Sequence, residues 1–199
     1  MTAETTTLDL GPQTRVLARL ADGVREDRLA DPTPCPGLAV RNLLGHLTGL
    51  AVAFRDAARK DLGPTTDTSP EASVPDIGPG WREQLAGVLG ELADAWREPG
   101  AWTGMTRAGG IDLPGEVAGA VVADELVIHG WDLARATGQE YAPDAAALRA
   151  AYGLLAAAEE SDRDAGMFGP VVAVPADAPL LERAVGLSGR DPGWSRPVR

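Results

Sequence analysis

DELVIHGWDLARATG, residues Asp124 to Gly138, decides how this 199-residue chain folds. The stretch reads as a helix that ends at Gly138, a residue suited to the left-handed position just past a helix C-terminus. Yet it carries Glu125, His129 and Asp132 where a buried helix would take leucine. Residues four apart on an α-helix are offset by about 40° and one turn, so Glu125 and His129 point the same way. Asp132, three residues further on, lies near the same line. Val121, Ile128 and Ala136 flank that face, and an imidazole beside a carboxylate on an apolar face is costly unless paired or coordinated.

The chain has two histidines, and the other is His46, in RNLLGHLTGL. It follows Leu43 by three residues and precedes Leu50 by four, so it borders the apolar stripe of its own helix. Both histidines therefore approach core-facing helix surfaces. Two imidazoles and a carboxylate make a three-ligand set of the kind found in catalytic zinc sites, with a fourth position left for water, a thiolate or a substrate oxygen. The same spacing also suits a plain helix-surface hydrogen bond between Glu125 and His129, with His46 a satisfied core histidine.

Outward from this stretch the chain reads as helices. Val16, Leu17, Leu20 and Val24 recur at helical spacing and predict a first helix over 14–28. DPTPCPG, Asp31 to Gly37, has three prolines in seven residues and must be a turn. A second helix is expected from Ala39 to Lys60, with Leu43, Leu47, Leu50 and Phe54 buried. Residues 61–80, rich in Pro, Thr, Ser and Gly, read as a long and mobile surface connection. A third helix spans Trp81 to Arg97, burying Leu85, Val88, Leu89, Leu92 and Trp96. WTGMTRAGGIDLPG suits either a short hairpin turning at Gly109-Gly110 or an ordered loop. The fourth helix starts near Pro114, a fifth runs from Asp144 to Glu160, and a short terminal helix is expected over 178–187. PVVAVP is too short and too bounded by proline for a core strand. Four long amphipathic helices predict an all-α helical bundle, and bundles build their sites from inward-pointing side chains of facing helices.

Composition limits the function. Apolar residues make up 44% of the chain, enough for a core, and aromatics only 5%, which with abundant alanine and leucine favours helix. Eighteen basic against 29 acidic residues give a net charge of −11, which argues against nucleic acid and anionic membrane surfaces as partners. The single cysteine, Cys35, allows no internal disulfide, and the acidic N-terminus shows no signal-peptide core, so a cytoplasmic location is expected. No apolar run approaches the roughly 18 residues of a membrane span.

TPCPGLAVRNLLGHL (Thr33–Leu47), ELVIHGWDLARATGQ (Glu125–Gln139) and FGPVVAVPADAPLLERAVGLSGRDPGW (Phe168–Trp194) resemble the signatures of an actinobacterial metal-binding family. That family belongs to the DinB-like superfamily and is related to the metal-binding domain of mycothiol-dependent maleylpyruvate isomerase. The resemblance implies a DinB-like four-helix bundle over residues 1–165 and a short C-terminal extension, 166–199, packed on it. It implies metal ligation by His46, Glu125 and His129, with zinc the implied ion and nickel or iron suited to the same ligands. Asp132 matches the acid of the family's HGWD segment. It then orients His129 from outside the ligand set or binds the metal weakly; the competing reading is a surface acid paired with Arg135 or Arg107.

Two departures stand out. The family motif commonly reads CPGW followed by a polar helix cap, where this chain has Leu38 and Ala39; the lost cap is worth about 1 kcal/mol. The isomerase also has a separate C-terminal domain that helps form its active site, where only a short tail is expected here, so the resemblance does not carry maleylpyruvate isomerisation across.

Other residues invite a role. Arg135, Arg107 and Trp131 are candidate substrate contacts, the arginines because mycothiol-type thiols and dicarboxylates both offer oxygens to a guanidinium. Trp102 is a second candidate for a pocket wall, while Trp81 and Trp96 read as packing. Cys35 reads as a packed turn residue rather than a fourth ligand. The functional expectation is a zinc-dependent transferase or isomerase that uses mycothiol as cosubstrate through a metal-bound thiolate and acts on an unknown small molecule. A metal-dependent hydrolase and a non-catalytic metal-binding protein are the alternatives. No other catalytic residue is assigned, and apolar bundle faces leave a homodimer open.

Overall fold

The structure, a computed structural model, describes residues 7–69, 74–160 and 168–197. Its long helices are α1 (Gly11–Asp22), α2 (Val40–Arg59), α4 (Trp81–Arg97) and α5 (Gly115–Thr137), with a short α3 (Pro64–Asp67) between α2 and α4. α6 (Ala145–Ala157) and α7 (Leu180–Leu187) follow. In the bundle α1 and α2 each pack against both α4 and α5, giving the circular order α1–α4–α2–α5. The fold is the all-α, DinB-like four-helix bundle, with one small hairpin as its sheet.

The first helix is shorter than its periodicity suggests. It stops at Gly23, and Glu26–Arg28 forms a separate 3₁₀ turn. Glycine disfavours helix continuation. Here it also lets the side chain of Gln139 lie against the backbone, where its amide donates to Leu20 O at 3.0 Å.

The polar cap missing from α2 is replaced from elsewhere. Asn42 Oδ1 accepts from Ala39 N at 3.2 Å, and the first-turn amides of Val40 and Arg41 donate to Asp31 O and Leu29 O at 3.0 and 2.9 Å. Neighbouring carbonyls thus satisfy donors that a capping side chain would otherwise take.

The described part of the 61–80 connection is pinned rather than loose. It contains α3, and Thr66 is buried. Its second half crosses α2 at Gly45, held by Asn42 Nδ2 donating to Pro75 O at 2.8 Å and by an Arg41–Asp76 ion pair at 2.7 Å. A Cβ at Gly45 would lie 2.7 Å from Asp76 N, so only glycine permits this crossing.

Residues 105–114 settle as the hairpin. β1 (Met105–Ala108) pairs antiparallel with β2 (Ile111–Pro114) across Gly109 and Gly110, both at positive φ as a two-residue type I′ turn requires. Pro114 then caps α5, and Gly138 ends it at φ 75°.

Helix α5 is shared by two cores. One face joins the bundle core with Leu43, Leu47, Leu92 and Leu126, while Val127, Ile128 and Trp131 pack with Ala147, Ala151, Leu155, Ala184 and Val185 of α6 and α7. Buried Gln13 ties α1 to this junction: its amide donates to Leu126 O and Tyr141 Oη, each at 3.0 Å, and its Oε1 accepts from Asp144 N at 2.9 Å. Asp144 in turn caps α6, accepting from Ala146 N and Ala147 N. The expected boundary at 165/166 and the first six residues lie outside the described residues. Among the described residues no helix is long and apolar enough to cross a membrane.

Two glycines of α2 test this packing. Gly45→Ala should lower stability by about 1–3 kcal/mol, because backbone must move to admit the methyl. Exposed Gly49, with open space around it, should gain up to about 1 kcal/mol on change to Ala. Urea unfolding of both variants checks the pair; equal midpoints would show that residues 74–80 do not lie on Gly45.

Candidate metal centre

Helices α2 and α5 bring His46, Glu125 and His129 together, and the ligand atoms of all three lie within 4.8 Å of one another. His129 Nε2 is 2.9 Å and His46 Nε2 3.6 Å from Glu125 Oε2. The imidazole rings meet edge to face, with centroids 4.8 Å apart. The i, i+4 spacing on α5 sets one side of the cluster. The stripe of Leu43, Leu47 and Leu50, all buried against the bundle, sets the rotation of α2 that presents His46.

Glu125 Oε2 is itself buried and meets no nitrogen in good hydrogen-bond alignment, although it forms an ion pair with His129 at 2.9 Å. Three potential ligand atoms thus converge on one point, held by an ion pair rather than by aligned hydrogen bonds. A cation between the three atoms would take the lone pairs that this ion pair leaves unaligned. The residues present fit a divalent ion on this ground. The cluster is open on one side: the side chains of His46 and Glu125 are 19% and 29% exposed, that of His129 only 8%.

On its far side His129 is held by Asp132, whose Oδ2 lies 2.9 Å from Nδ1. Asp132 is fully buried, and the same oxygen accepts from Arg190 Nη2 at 3.3 Å. The surface partners weighed for Asp132, Arg135 and Arg107, are therefore not the ones it has. Arg190 comes from the segment after α7, 58 residues downstream of Asp132; it lies in the family-like stretch Phe168–Trp194, in which the sequence singles out no site residue. Its Nη2 also lies 3.6 Å from Cys35 Sγ. Cys35 groups with His129 and Asp132, not with His46 and Glu125.

The remaining candidates have partners elsewhere. Arg107 lies on β1 and pairs with Asp112 and Asp67 at 2.7 and 3.0 Å. Arg135 donates to Trp194 O and extends over the ring of Trp131, which is buried in the second core. Trp102 packs edge-on against Trp96 and donates to its carbonyl at 2.7 Å. Trp96 and Trp81 are buried core residues.

Electrostatically the cluster is strongly coupled. Burial alone would push the His129 imidazolium down, but Asp132 and Glu125 outweigh it and hold it up at about 10. Burial likewise works to raise Glu125, yet the imidazoles of His129 and His46 keep it well below the usual carboxylate range. Asp124, next along α5 and buried, has an unpartnered Oδ1; burial first, then the charge of Glu125, pushes it up to about 8. Burial pushes the Cys35 thiol up as well, against the pull of His129 and Arg190.

A pH dependence of the metal-free protein follows. His129 is raised from 6.5 in the unfolded chain to about 10. Its stabilising contribution is therefore complete below pH 6.5 and lost as pH rises through about 10. Asp124 acts in the same direction, its contribution lost as pH rises through about 8. The urea midpoint should fall between neutrality and pH 10, and His129→Gln should flatten the upper part of that fall. A wild-type midpoint that stays level would show that His129 does not hold its proton.

Comparison with known proteins extends the picture. The family model described as mycothiol maleylpyruvate isomerase N-terminal domain matches residues 10–134, more than half of the chain. Two Mycobacterium tuberculosis sequences, each described as an uncharacterized protein, are 29% identical over 122 residues. That match covers 61% of this chain and 62% of theirs, so the chain spans about three fifths of the length of these relatives. Among solved structures, the mycothiol-dependent maleylpyruvate isomerase and a histidine-to-alanine mutant of it superpose with TM-scores of 0.52 and 0.56 at 16% and 19% identity. Each superposition covers 72% of this chain and 65% of the isomerase chain. At that identity the likeness is one of fold.

Proposed function

This chain belongs to the mycothiol maleylpyruvate isomerase N-terminal domain family, and from that premise we propose that it is a metal-dependent enzyme acting on a mycothiol-class thiol. The metal ion is held by His46, Glu125 and His129 and is zinc by the character of the set, two imidazoles and one carboxylate. The observation that carries this reading is the convergence of two imidazole nitrogens on one buried oxygen of Glu125. When bound, such an ion supplies a Lewis acid that lowers the pKa of a thiol presented to it.

The chain's own residues do the rest. Glu125 offers the negative charge and His46 the nitrogen nearer solvent. His129 is steered by Asp132 so that Nε2 faces the other two ligands while Nδ1 is engaged. The partly exposed His46–Glu125 side leaves an approach for a thiol and its electrophilic cosubstrate. The reaction class is thiol transfer, or isomerisation through a transient thiol adduct.

Elemental analysis beside single-site variants tests the site. The wild type should carry about one divalent ion per chain, and folded His46→Ala, Glu125→Ala and His129→Ala should each lose at least 10-fold in affinity. Titration of the metal-loaded protein with mycothiol should then show binding that the variants lack. A metal-free wild type after reconstitution would return Glu125 and His129 to an ordinary helix pair. Metal without thiol binding would leave hydrolysis or a structural ion as the reading.

A further inference from the structure

The segment after α7 reaches back into the bundle. Ser188 Oγ donates to Val185 O at 2.8 Å, and Arg190 N donates to the same carbonyl at 3.1 Å, so the chain turns sharply off the end of the helix. Gly189 makes the turn at φ 86°, a conformation that favours glycine, and a Cβ there would lie 2.6 Å from Gly169 Cα. The turn points Arg190 inward. Its Nη1 donates to Ser188 O at 3.1 Å and its Nη2 lies 3.3 Å from Asp132 Oδ2 and 3.6 Å from Cys35 Sγ. The Arg190 side chain is 15% exposed and that of Asp132 is fully buried.

Asp132 Oδ2 thus stands between two donors, His129 Nδ1 at 2.9 Å and Arg190 at 3.3 Å. A fully buried carboxylate with the imidazole as its only neighbour faces a large desolvation cost. It is relieved by rotating toward water, and that change releases the imidazole ring. A guanidinium on the same oxygen removes that incentive, because it is permanently charged and cannot give up its proton.

We propose that Arg190, which lies outside the residues matched by the family model, is a positioning residue for the metal centre: it braces Asp132 Oδ2 against His129 Nδ1, and so fixes the His129 ring with Nε2 toward His46 and Glu125. The C-terminal segment is then a working part of the site. This inference rests on the metal-binding reading for its effect on affinity, but the orientation of His129 can be followed with or without a metal.

Two measurements test it. The first is zinc affinity by competition with a chromophoric chelator. Arg190→Met, similar in length but uncharged, should weaken zinc binding about 10- to 100-fold, the range for partners that orient metal-ligating histidines. Arg190→Lys should recover most of the loss. In an Asp132→Asn background, Arg190→Met should add nothing. Urea midpoints of the metal-free variants separate this from unfolding, since a purely structural role would lower the midpoint without this pattern. The second is proton NMR at neutral pH, where the His129 Nδ1–H should give a downfield, exchange-protected resonance, assigned by its persistence in His46→Gln. Arg190→Met should broaden or remove it.

Wild-type affinity and an unchanged Nδ1–H signal in Arg190→Met would overturn the proposal. A full further loss in the Asp132→Asn background would show that Arg190 acts by another route and overturn it as well. A wild type that binds no zinc would sink the metal-binding reading alone, and the Nδ1–H resonance would still decide the role of Arg190.

Discussion

Burying α5 is the constraint on which the rest of the structure depends. The helix is covered on nearly every side, by the bundle on one face and by α6 and α7 on the other. Yet Asp124, Glu125, His129 and Asp132 sit within nine residues of it. Charges in such a place must be compensated by neighbours or neutralised. The neighbours come from far apart in sequence: His46 from α2 and Arg190 from beyond α7. Asp124 has no such partner for its Oδ1 and is pushed up to about 8 instead. One helix thus shows both solutions on consecutive residues.

The compensation is close to balanced without a metal. Glu125 and Asp132 carry negative charge, and His129 and Arg190 carry positive charge, within one connected cluster. A divalent ion entering such a cluster has to displace the proton of His129, because a metal-ligating imidazole must be neutral at the coordinating nitrogen. Arg190 cannot be displaced in this way. Its side chain lies against Asp132 and Cys35, on the Nδ1 side of the imidazole, while His46 and Glu125 lie on the Nε2 side. The two faces of one ring therefore have separate duties. One is held by protein charge, and the other is presented to whatever occupies the open side.

Much of this was legible in the sequence because it is local. The i, i+4 relation of Glu125 and His129, the ending of α5 at Gly138 and the buried stripe of α2 all follow from helix periodicity, and the structure bears them out. The apolar pattern overruns the first helix because Val24 continues it past Gly23; the pattern reports burial, and Val24 is indeed buried, but from a turn rather than a helix. What could not be read was contact between distant segments. The carbonyls of Leu29 and Asp31 that stand in for the missing α2 cap, the crossing of Asp76 over Gly45 and the Arg190–Asp132 contact carry no periodic signal. For Asp132 the sequence offered nearer arginines, and the chain used the one that folds back from its tail.

The state of Cys35 bears on which thiol chemistry such a site would perform. A protein thiol beside a metal centre is a natural candidate for nucleophile. Here burial and the charges of Asp132 and Glu125 push it up, and the opposing pull of His129 and Arg190 does not overcome them. Cys35 is therefore kept as a protonated thiol, a weak nucleophile. It also stands on the Asp132 side of His129, away from the partly exposed edge formed by His46 and Glu125. In the proposed reading the reactive sulfur comes from a small thiol that enters at that edge, while the protein's own sulfur packs against the guanidinium that steadies Asp132. An arrangement in which Cys35 attacked the substrate would need a thiol drawn down by positive charge, whereas in the metal-free protein burial first, and then the charges of Asp132 and Glu125, push this one up.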